Sequence, residues 1–556
     1  MSNFILKILE TRELKLNTIR LRGFYGGKLR KGSGGGGSGD GFPQLPGDVT
    51  RWHFGGLTNE MMAAMDDPRI EDADHKGRFL SFKNFAWGGM SGVGGVSTYY
   101  DKYEFTPDKY YMVAVSSGTQ HAQFTFKVTG LVDGNTLSLA DTSSPSNLYG
   151  KWTQDGIYTV DIDVINTDRS LYFYNGVSAI RGTFTIEILP LYPGALVFDG
   201  VNDYGFCENF PILTKEKGYT VVALRQWISM GEGISGLVSN VKNWFNDGAF
   251  VLEYNSNNAT NKFVNRPVSF GNVNIEMDLP NNFTHQTSKS YKGVPITTGS
   301  FKGTNSLFVG KLNNIIGNCS NVAIWELVFL DHDATEEELT KIKDYFVKTY
   351  PWLFPDQAWT VVGKTNEDED RATIANITGN GNDLVLSNFG FAEGSGYNEE
   401  DEYAGYLVTD GVDDKIDSSA FEMGKDFMIV GEWKLLPVSN YNYAGIVKNN
   451  NLYVYNNASI GISIYVCSSS VSNNMEGLKS LKAICSDGRV YDDNWVEYKL
   501  RNVGDTVGAK STLDIGANKN NFTQMAFKNL GIYNNQILSK DDCIKAYNYL
   551  QTLKAK

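Results

Sequence analysis

Phe198-Asp199-Gly200-Val201-Asn202-Asp203-Tyr204 and Thr409-Asp410-Gly411-Val412-Asp413-Asp414-Lys415 are one phrase written twice. In each, an apolar strand (Ala195 to Phe198; Tyr406 to Val408) runs into an Asp-Gly turn, and a further Asp follows at fixed spacing. Asp side chains bond nearby backbone N–H groups and Gly takes left-handed φ without penalty, so the stretch predicts a tight turn between strands. Its recurrence also turns it into a ruler for the rest of the chain.

Other landmarks recur with it. Trp52, followed six positions later by Thr58-Asn59-Glu60, matches Trp359, followed six later by Thr365-Asn366-Glu367, at an offset of 307. Leu80-Ser81-Phe82-Lys83-Asn84-Phe85 matches Leu384-Val385-Leu386-Ser387-Asn388-Phe389 at 304, whereas the Asp-Gly turns match at only 211. A deficit of 93 residues between neighbouring landmarks requires an insertion in the first copy, placed at residues 98–193. There Tyr110–Val115, Gln123–Val128, Tyr158–Ile165, Ser170–Tyr174 and Gly182–Leu189 alternate apolar and polar between turn residues, the pattern of a small β-sandwich. Loop tips accept whole domains because the ends of a compact domain usually lie close together.

Each copy closes on a helical signal. Thr335 is an N-cap with Glu338 three residues on, and Leu339, Ile342, Tyr345 and Phe346 share one face. Ser539 and Asp542 repeat these roles at an offset of 204, with Cys543, Ile544, Tyr547 and Leu550 behind. First-turn acids favour the helix dipole.

The 556 residues are 20% charged and 41% hydrophobic, rich in Gly, Tyr and Phe, which predicts a turn-rich, mainly β protein of several domains. Cys207, Cys319, Cys467, Cys485 and Cys543 are odd in number, widely spread and without a C-x-x-C pair, so they read as buried thiols. No run of 18 apolar residues exists to span a membrane. Lys7 and Glu10 interrupt the N-terminal apolar residues and no cleavage site follows, so no secretion signal is expected.

The net charge of −13 is unevenly held: residues 1–31 sum to +6, leaving −19 for the remainder. An acidic body repels phosphate, so nucleic acid is not an expected partner. Basic and apolar residues interleave in 1–31, which reads as an anchoring arm whose contacts would be Lys15, Arg20, Arg22, Lys28, Arg30 and Lys31. A Gly/Ser-rich linker, 32–50, follows as a flexible tether.

The strand, the Asp-Gly-Val-(Asn/Asp)-Asp turn, the upstream Thr378-Gly379-Asn380-Gly381-Asn382-Asp383-Leu384 segment and the capped acidic helix together resemble the concanavalin A-like, laminin-G-type jelly roll. The resemblance covers 51–97 with 194–353, and again 354–556; the first copy departs from it where His75-Lys76-Gly77-Arg78 replaces the Gly-Asn-Gly-Asn run. It implies two such β-sandwiches, the first carrying the inserted small sandwich. Stretches such as Asn84 to Gly95 and Asn380 to Tyr397 also resemble virion appendage proteins of Bacteroides-infecting, crAss-like bacteriophages.

Jelly rolls of this type can cleave glycans with paired carboxylates, and Glu276-Met277-Asp278 alternates suitably, but Asn281 stands where retaining members need a further acid. His53, His75, His121, His285 and His332 are scattered without a nucleophile at useful spacing. Asp199, Asp203, Asp410, Asp413 and Asp414 could ligate calcium, or cap their own turns; the capping reading is preferred because Asn202 breaks the acid pattern in the first copy. Glu367-Asp368-Glu369-Asp370 reads as a solvated loop, and Trp87, Trp152, Trp227, Trp244, Trp325 and Trp433 as packing residues with some scope for glycan stacking.

No catalytic, cofactor or metal site is therefore predicted. The expectation is a non-enzymatic fibre or spike on the virion surface, held through residues 1–31 to capsid or tail proteins, homo-oligomeric and trimeric in the manner of fibres, with host surface polysaccharide as a further partner. The alternatives are a glycan-binding adhesin and a polysaccharide depolymerase.

Overall fold

The computed structural model describes residues 41–85, 87, 102–105, 112–117, 121–132, 135–141, 147–163, 170–175, 182–229, 234–241, 250–255, 262–265, 273–274, 283–291, 294–295, 304–313, 319–399, 403–436, 444–457, 461–467, 473–476, 478, 480–505, 508, 510–518 and 521–555. Lys15, Arg20, Arg22, Lys28, Arg30 and Lys31 lie outside the described residues, as do Glu276, Asp278, Asn281 and Trp244. The chain is mainly β, its sheets antiparallel and stacked as sandwiches. Its α-helices among the described residues are α1 (Asn59–Ala63), α2 (Glu336–Thr349) and α3 (Lys540–Gln551). None of these is long and apolar enough to cross a membrane.

One long strand decides each sandwich. Asn321–Leu330 is buried at every position after its first, because its inner face meets the core and its outer face meets other elements of the fold. Val49–His53 and Leu196–Asp199 pair along one edge of it, and Thr220–Ser229 along the other. Met525–Asn534 repeats the plan, with Gln357–Thr360 and Leu407–Val408 on one edge and Phe427–Leu435 on the other. Registers agree: Trp52 sits opposite Leu327, and Trp359 opposite Leu530. This double burial explains why neither strand shows an apolar/polar alternation.

The opposing eight-stranded sheets also share an order. Phe79–Lys83, Tyr204–Cys207, Leu307–Val309 and Ile234–Ser239 lie side by side in the first, and Leu384–Ser387, Lys415–Ser418, Asp514–Ile515 and Ala444–Asn449 in the second. Trp52, Leu80, Phe82, Phe198 and Ile324 fill the first core; Trp359, Leu384, Leu386, Ile416 and Phe527 fill the second. The segment around His75-Lys76-Gly77-Arg78 forms the same turn as its glycine-rich counterpart. Ala73 N–H bonds the Arg51 carbonyl at 2.7 Å, and Ile377 N–H bonds the Ala358 carbonyl at 2.8 Å. His75 and Gly77 occupy left-handed φ (54° and 76°), as do Gly379 and Gly381 (78° and 72°), so the departure is chemical and the backbone path is kept.

Eight strands between Lys102 and Leu189 form two four-stranded sheets around Phe105, Phe126, Phe173 and Phe184. Three of their strands, Lys102–Phe105, Leu137–Ala140 and Leu148–Trp152, escape the sequence pattern. Leu137–Ala140 is only four residues long and is buried at all four positions, Ser138 included.

The capping box at Thr335 forms, with Glu338 bonding back to the Thr335 N–H, and the Ser539 side chain accepts from Asp542 N–H. Leu339, Ile342 and Phe346 of α2 and Cys543, Tyr547 and Leu550 of α3 join one hydrophobic cluster. That cluster also takes in Phe42, Ile157 of the inserted sandwich, Trp352 and Leu353 of the connection, and Met428. Polar bonds cross the same junction: Thr125 Oγ1 to Asn548 Oδ1 at 3.2 Å, Gln226 Nε2 to Thr552 Oγ1 at 2.8 Å, and Tyr533 hydroxyl to the Trp352 carbonyl at 2.8 Å. All five cysteines are buried and free.

Candidate functional site

The two Asp-Gly turns superpose in their bonding. Asp199 Oδ1 accepts from the N–H groups of Val201, Asn202 and Asp203 at 2.7, 3.2 and 3.3 Å. Asp410 Oδ1 accepts from Val412, Asp413 and Asp414 at 2.7, 3.2 and 3.4 Å. Gly200 (φ 78°) leaves no room for a side chain, since a Cβ there would meet Asn321 at 2.9 Å. Asp203 and Asp414 return the favour by accepting from Asp199 and Asp410 N–H. Burial, with the Asp199 charge behind it, pushes the Asp203 carboxyl up to about 7. Burial, then the charges of Asp410 and Asp413, take Asp414 to about 6 against the pull of its hydrogen bonds.

Carboxylate oxygens of Asp410, Asp413 and Asp414 come within 4.8 Å of one another, close enough to suggest a cation. Yet Asp410 Oδ1 already accepts three N–H groups, and Asp414 holds Asp410 N–H and the Ser395 hydroxyl (3.0 Å). Asp410 Oδ1 and the Asp414 carboxylate are thus engaged within the turn and with Ser395, which is the chemistry of a cap.

Both sandwiches bury an acid beneath the closing helix, a feature the sequence reading missed. Glu326, fully buried, accepts the hydroxyls of Tyr345 at 3.0 Å and Tyr350 at 3.2 Å and faces Arg51 at 3.5 Å. Glu432 accepts the hydroxyls of Tyr406 (2.5 Å) and Tyr547, with Lys482 3.7 Å away. Burial would raise the Glu432 carboxyl, but Lys482 and Lys528, followed by the two tyrosines, hold it at about 2. His53 Nδ1 lies 2.7 Å from Glu326 Oε1 and 2.9 Å from the Tyr350 hydroxyl. The pair is 273 positions apart in sequence; only the register that sets His53 opposite Glu326 reveals it. His53 borders a cavity of about 870 Å³ with Leu57, Met61, Met65 and Phe79; no serine, threonine or cysteine lines it among the described residues.

Several other residues singled out by sequence have structural roles. Trp227, Trp325 and Trp433 are core, Trp325 donating to the Pro193 carbonyl at 2.8 Å. Trp87 stacks on Phe85 with centroids 4.7 Å apart, and Trp152 packs edge-on to Phe126 at 4.8 Å. The acidic run is not simply a solvated loop. Asp368 caps Thr365 N–H at 2.9 Å, and Asp370 pairs at 2.6 Å with the buried Lys364. His75 and His332 bond Glu71 and Glu338, each at 3.0 Å.

A cleft of about 780 Å³ runs between the sandwiches, where β-strand Phe283–Thr287, helix α2, the connection Leu353–Asp356 and the loop after Met525–Asn534 converge. Its walls mix aromatic rings (Phe283, Phe354, Tyr549) with amides and hydroxyls (Asn380, Asn535, Gln536, Thr378). Mixed apolar and neutral polar linings at domain junctions are the usual setting of small-molecule sites.

No protein-family model matches the chain, and no curated protein does. Among solved structures, a Trypanosoma rangeli sialidase in complex with 2-keto-3-deoxy-D-glycero-D-galacto-2,3-difluoro-nononic acid is similar at 9% identity and a TM-score of 0.21, over 51% of this chain and 60% of that one. The chain thus spans about three fifths of that sialidase's length. Trypanosoma rangeli sialidase is also similar at 9% identity and a TM-score of 0.26, over 85% and 82% of the two chains. The botulinum neurotoxin serotype D ligand binding domain in complex with N-acetylneuraminic acid is similar at 10% identity and a TM-score of 0.24, over 62% and 88%. Similarity of this depth carries no functional inference.

Proposed function

We propose that this chain is a non-enzymatic structural protein of a bacteriophage virion, a fibre or spike held to the particle by its N-terminal arm and presenting its sandwiches to host surface glycans. The observation that carries this reading is the single hydrophobic cluster uniting α2, α3, the connection and the inserted sandwich. A shared core makes three β units move as one body, which an appendage projecting from a tether requires. The basic arm at 1–31 and the Gly/Ser linker supply attachment and reach. Trimeric assembly would let several arms bind at once, raising their effective concentration at the particle.

The test is assembly. Particles produced with a chain lacking residues 1–41 should contain none of it, while the truncated protein stays folded and soluble. Its incorporation at normal level would overturn the reading. Electron microscopy of native particles would show both its position and its symmetry.

A further inference from the structure

We propose that the cleft between the two sandwiches is a binding site for an uncharged oligosaccharide. Its biological setting rests on the reading of the chain as a surface-contacting protein, but its argument comes from the groups in the cleft. A sugar hydroxyl both donates and accepts, and side-chain amides offer both functions side by side. Asn535 and Gln536 line the cleft and make no side-chain hydrogen bond among the described residues. His285 makes none either. Burial pushes its imidazole below the usual histidine range, so at neutral pH it presents one donor and one acceptor. Phe283 and Phe354 are half-buried and offer apolar surface to the C–H faces of a sugar ring.

Charge selects among ligands. Lys343 is the cation of the lining and Asp356 the anion, so neither sign dominates. A phosphate or polyanionic sugar would meet one lysine beside a carboxylate, and a polyamine would meet the reverse. A neutral glycan meets no such conflict.

The walls are also fixed in advance. Asp356 Oδ2 accepts Asn534 N–H at 2.7 Å, and its carbonyl accepts Asn380 Nδ2 at 2.8 Å and the Thr378 hydroxyl at 3.2 Å. One residue of the connection thereby holds both loops of the second sandwich. Asn535 is kept at φ 57°, a left-handed conformation that asparagine tolerates better than most residues. Binding to walls already in place needs little further ordering. The volume of about 780 Å³ suits a short oligosaccharide within the range of roughly 300–1,000 Å³ common to such sites.

The experiment is saturation-transfer NMR on the full chain with maltotriose, mannotriose and cellotriose as neutral probes and sialyllactose as a charged one. At least one neutral trisaccharide should bind. Gln536→Ala should weaken it roughly fivefold, the effect of one hydrogen bond, and Gln536→Trp, which fills the cleft, should abolish it. Far-UV circular dichroism should be unchanged in both variants. Equal binding by all three proteins, binding of sialyllactose alone, or failure of every neutral probe would each overturn the site. None of these outcomes bears on the fibre reading, which stands or falls on particle incorporation.

Discussion

Asn388 donates its side-chain N–H to the backbone carbonyl of Asp413 across 2.9 Å. In the first sandwich Asn84 does the same to Asn202, also at 2.9 Å. Both asparagines are left-handed, with φ of 69° and 67°. The bond ties the end of one strand to the Asp-Gly turn that begins another. Between its two partners lie 24 intervening residues in the second sandwich and 117 in the first. One closed junction therefore spans either a loop or a whole inserted sandwich.

That junction predicts that the insertion is separable. A chain in which residues 98–193 are replaced by a short Gly/Ser linker should fold with both large sandwiches intact, because Asn84 to Asn202 and the packing of Phe85 on Phe198 at 5.2 Å hold the strand ends together without it. Uncovering the cluster where Ile157 and Tyr192 pack, and losing the Thr125 to Asn548 bond and the Pro193 carbonyl that accepts from Trp325, should lower stability by about 3–5 kcal/mol. Denaturant unfolding of the shortened chain measures this. Collapse to an unfolded product would mean the insertion is part of the first sandwich's own core.

The Asp-Gly turns should behave as caps. Removing the oxygen that gathers three N–H groups, in Asp410→Ala or Asp199→Ala, should cost about 2 kcal/mol at each site by denaturant unfolding. Millimolar calcium should leave the wild-type thermal midpoint where it was. A calcium-dependent rise that Asp413→Ala abolishes would instead make the turn an ion site.

Much of this architecture was legible in residues and spacing. Trp52 and Trp359, the paired Asp-Gly turns and the Thr335 and Ser539 caps are local signals, and local signals survive in a sequence. The buried acids were not legible. Glu326 sits inside an apolar strand, and its partners Arg51, His53, Tyr345 and Tyr350 reach it only after the first strand has paired with the last and α2 has docked. The cleft was invisible for the same reason: His285, Asp356, Asn380 and Gln536 come together only when the two sandwiches share a core.

Asp203 should oppose folding at neutral pH. Its folded-state value of about 7 lies above the ordinary 3.8, so its contribution to stability is fully present below pH 3.8 and lost as pH rises through about 7. Asp414, at about 6, acts in the same direction. Asp203 Oδ1 is buried without a partner, and an amide at this position carries no charge for the Asp199 carboxylate to repel. Asp203→Asn should therefore stabilise the protein by about 1–2 kcal/mol at pH 8, after discounting for solvent screening, and by little at pH 4. Unfolding curves at the two pH values decide it; a gain equal at both would point to something other than titration.

Glu432 sets the acid limit. Its folded value of about 2 lies below the ordinary 4.5, so its contribution is present above pH 4.5 and lost as pH falls through about 2, opposite in sign to Asp203. Stability should consequently peak on the mildly acidic side of neutral. Because Lys482, Tyr406 and Tyr547 all converge on this carboxylate, Glu432→Ala leaves Lys482 with only the more exposed Asp493, 3.9 Å away, as counter-charge and two buried hydroxyls without their acceptor, and should cost about 3 kcal/mol. Tyr547→Phe removes one hydroxyl and keeps the ring against Trp495, so about 1–2 kcal/mol is expected. Measured together at pH 7, the two variants should differ by at least 1 kcal/mol. Equal losses would mean that the clamp acts through helix packing alone, with no contribution from the buried charge.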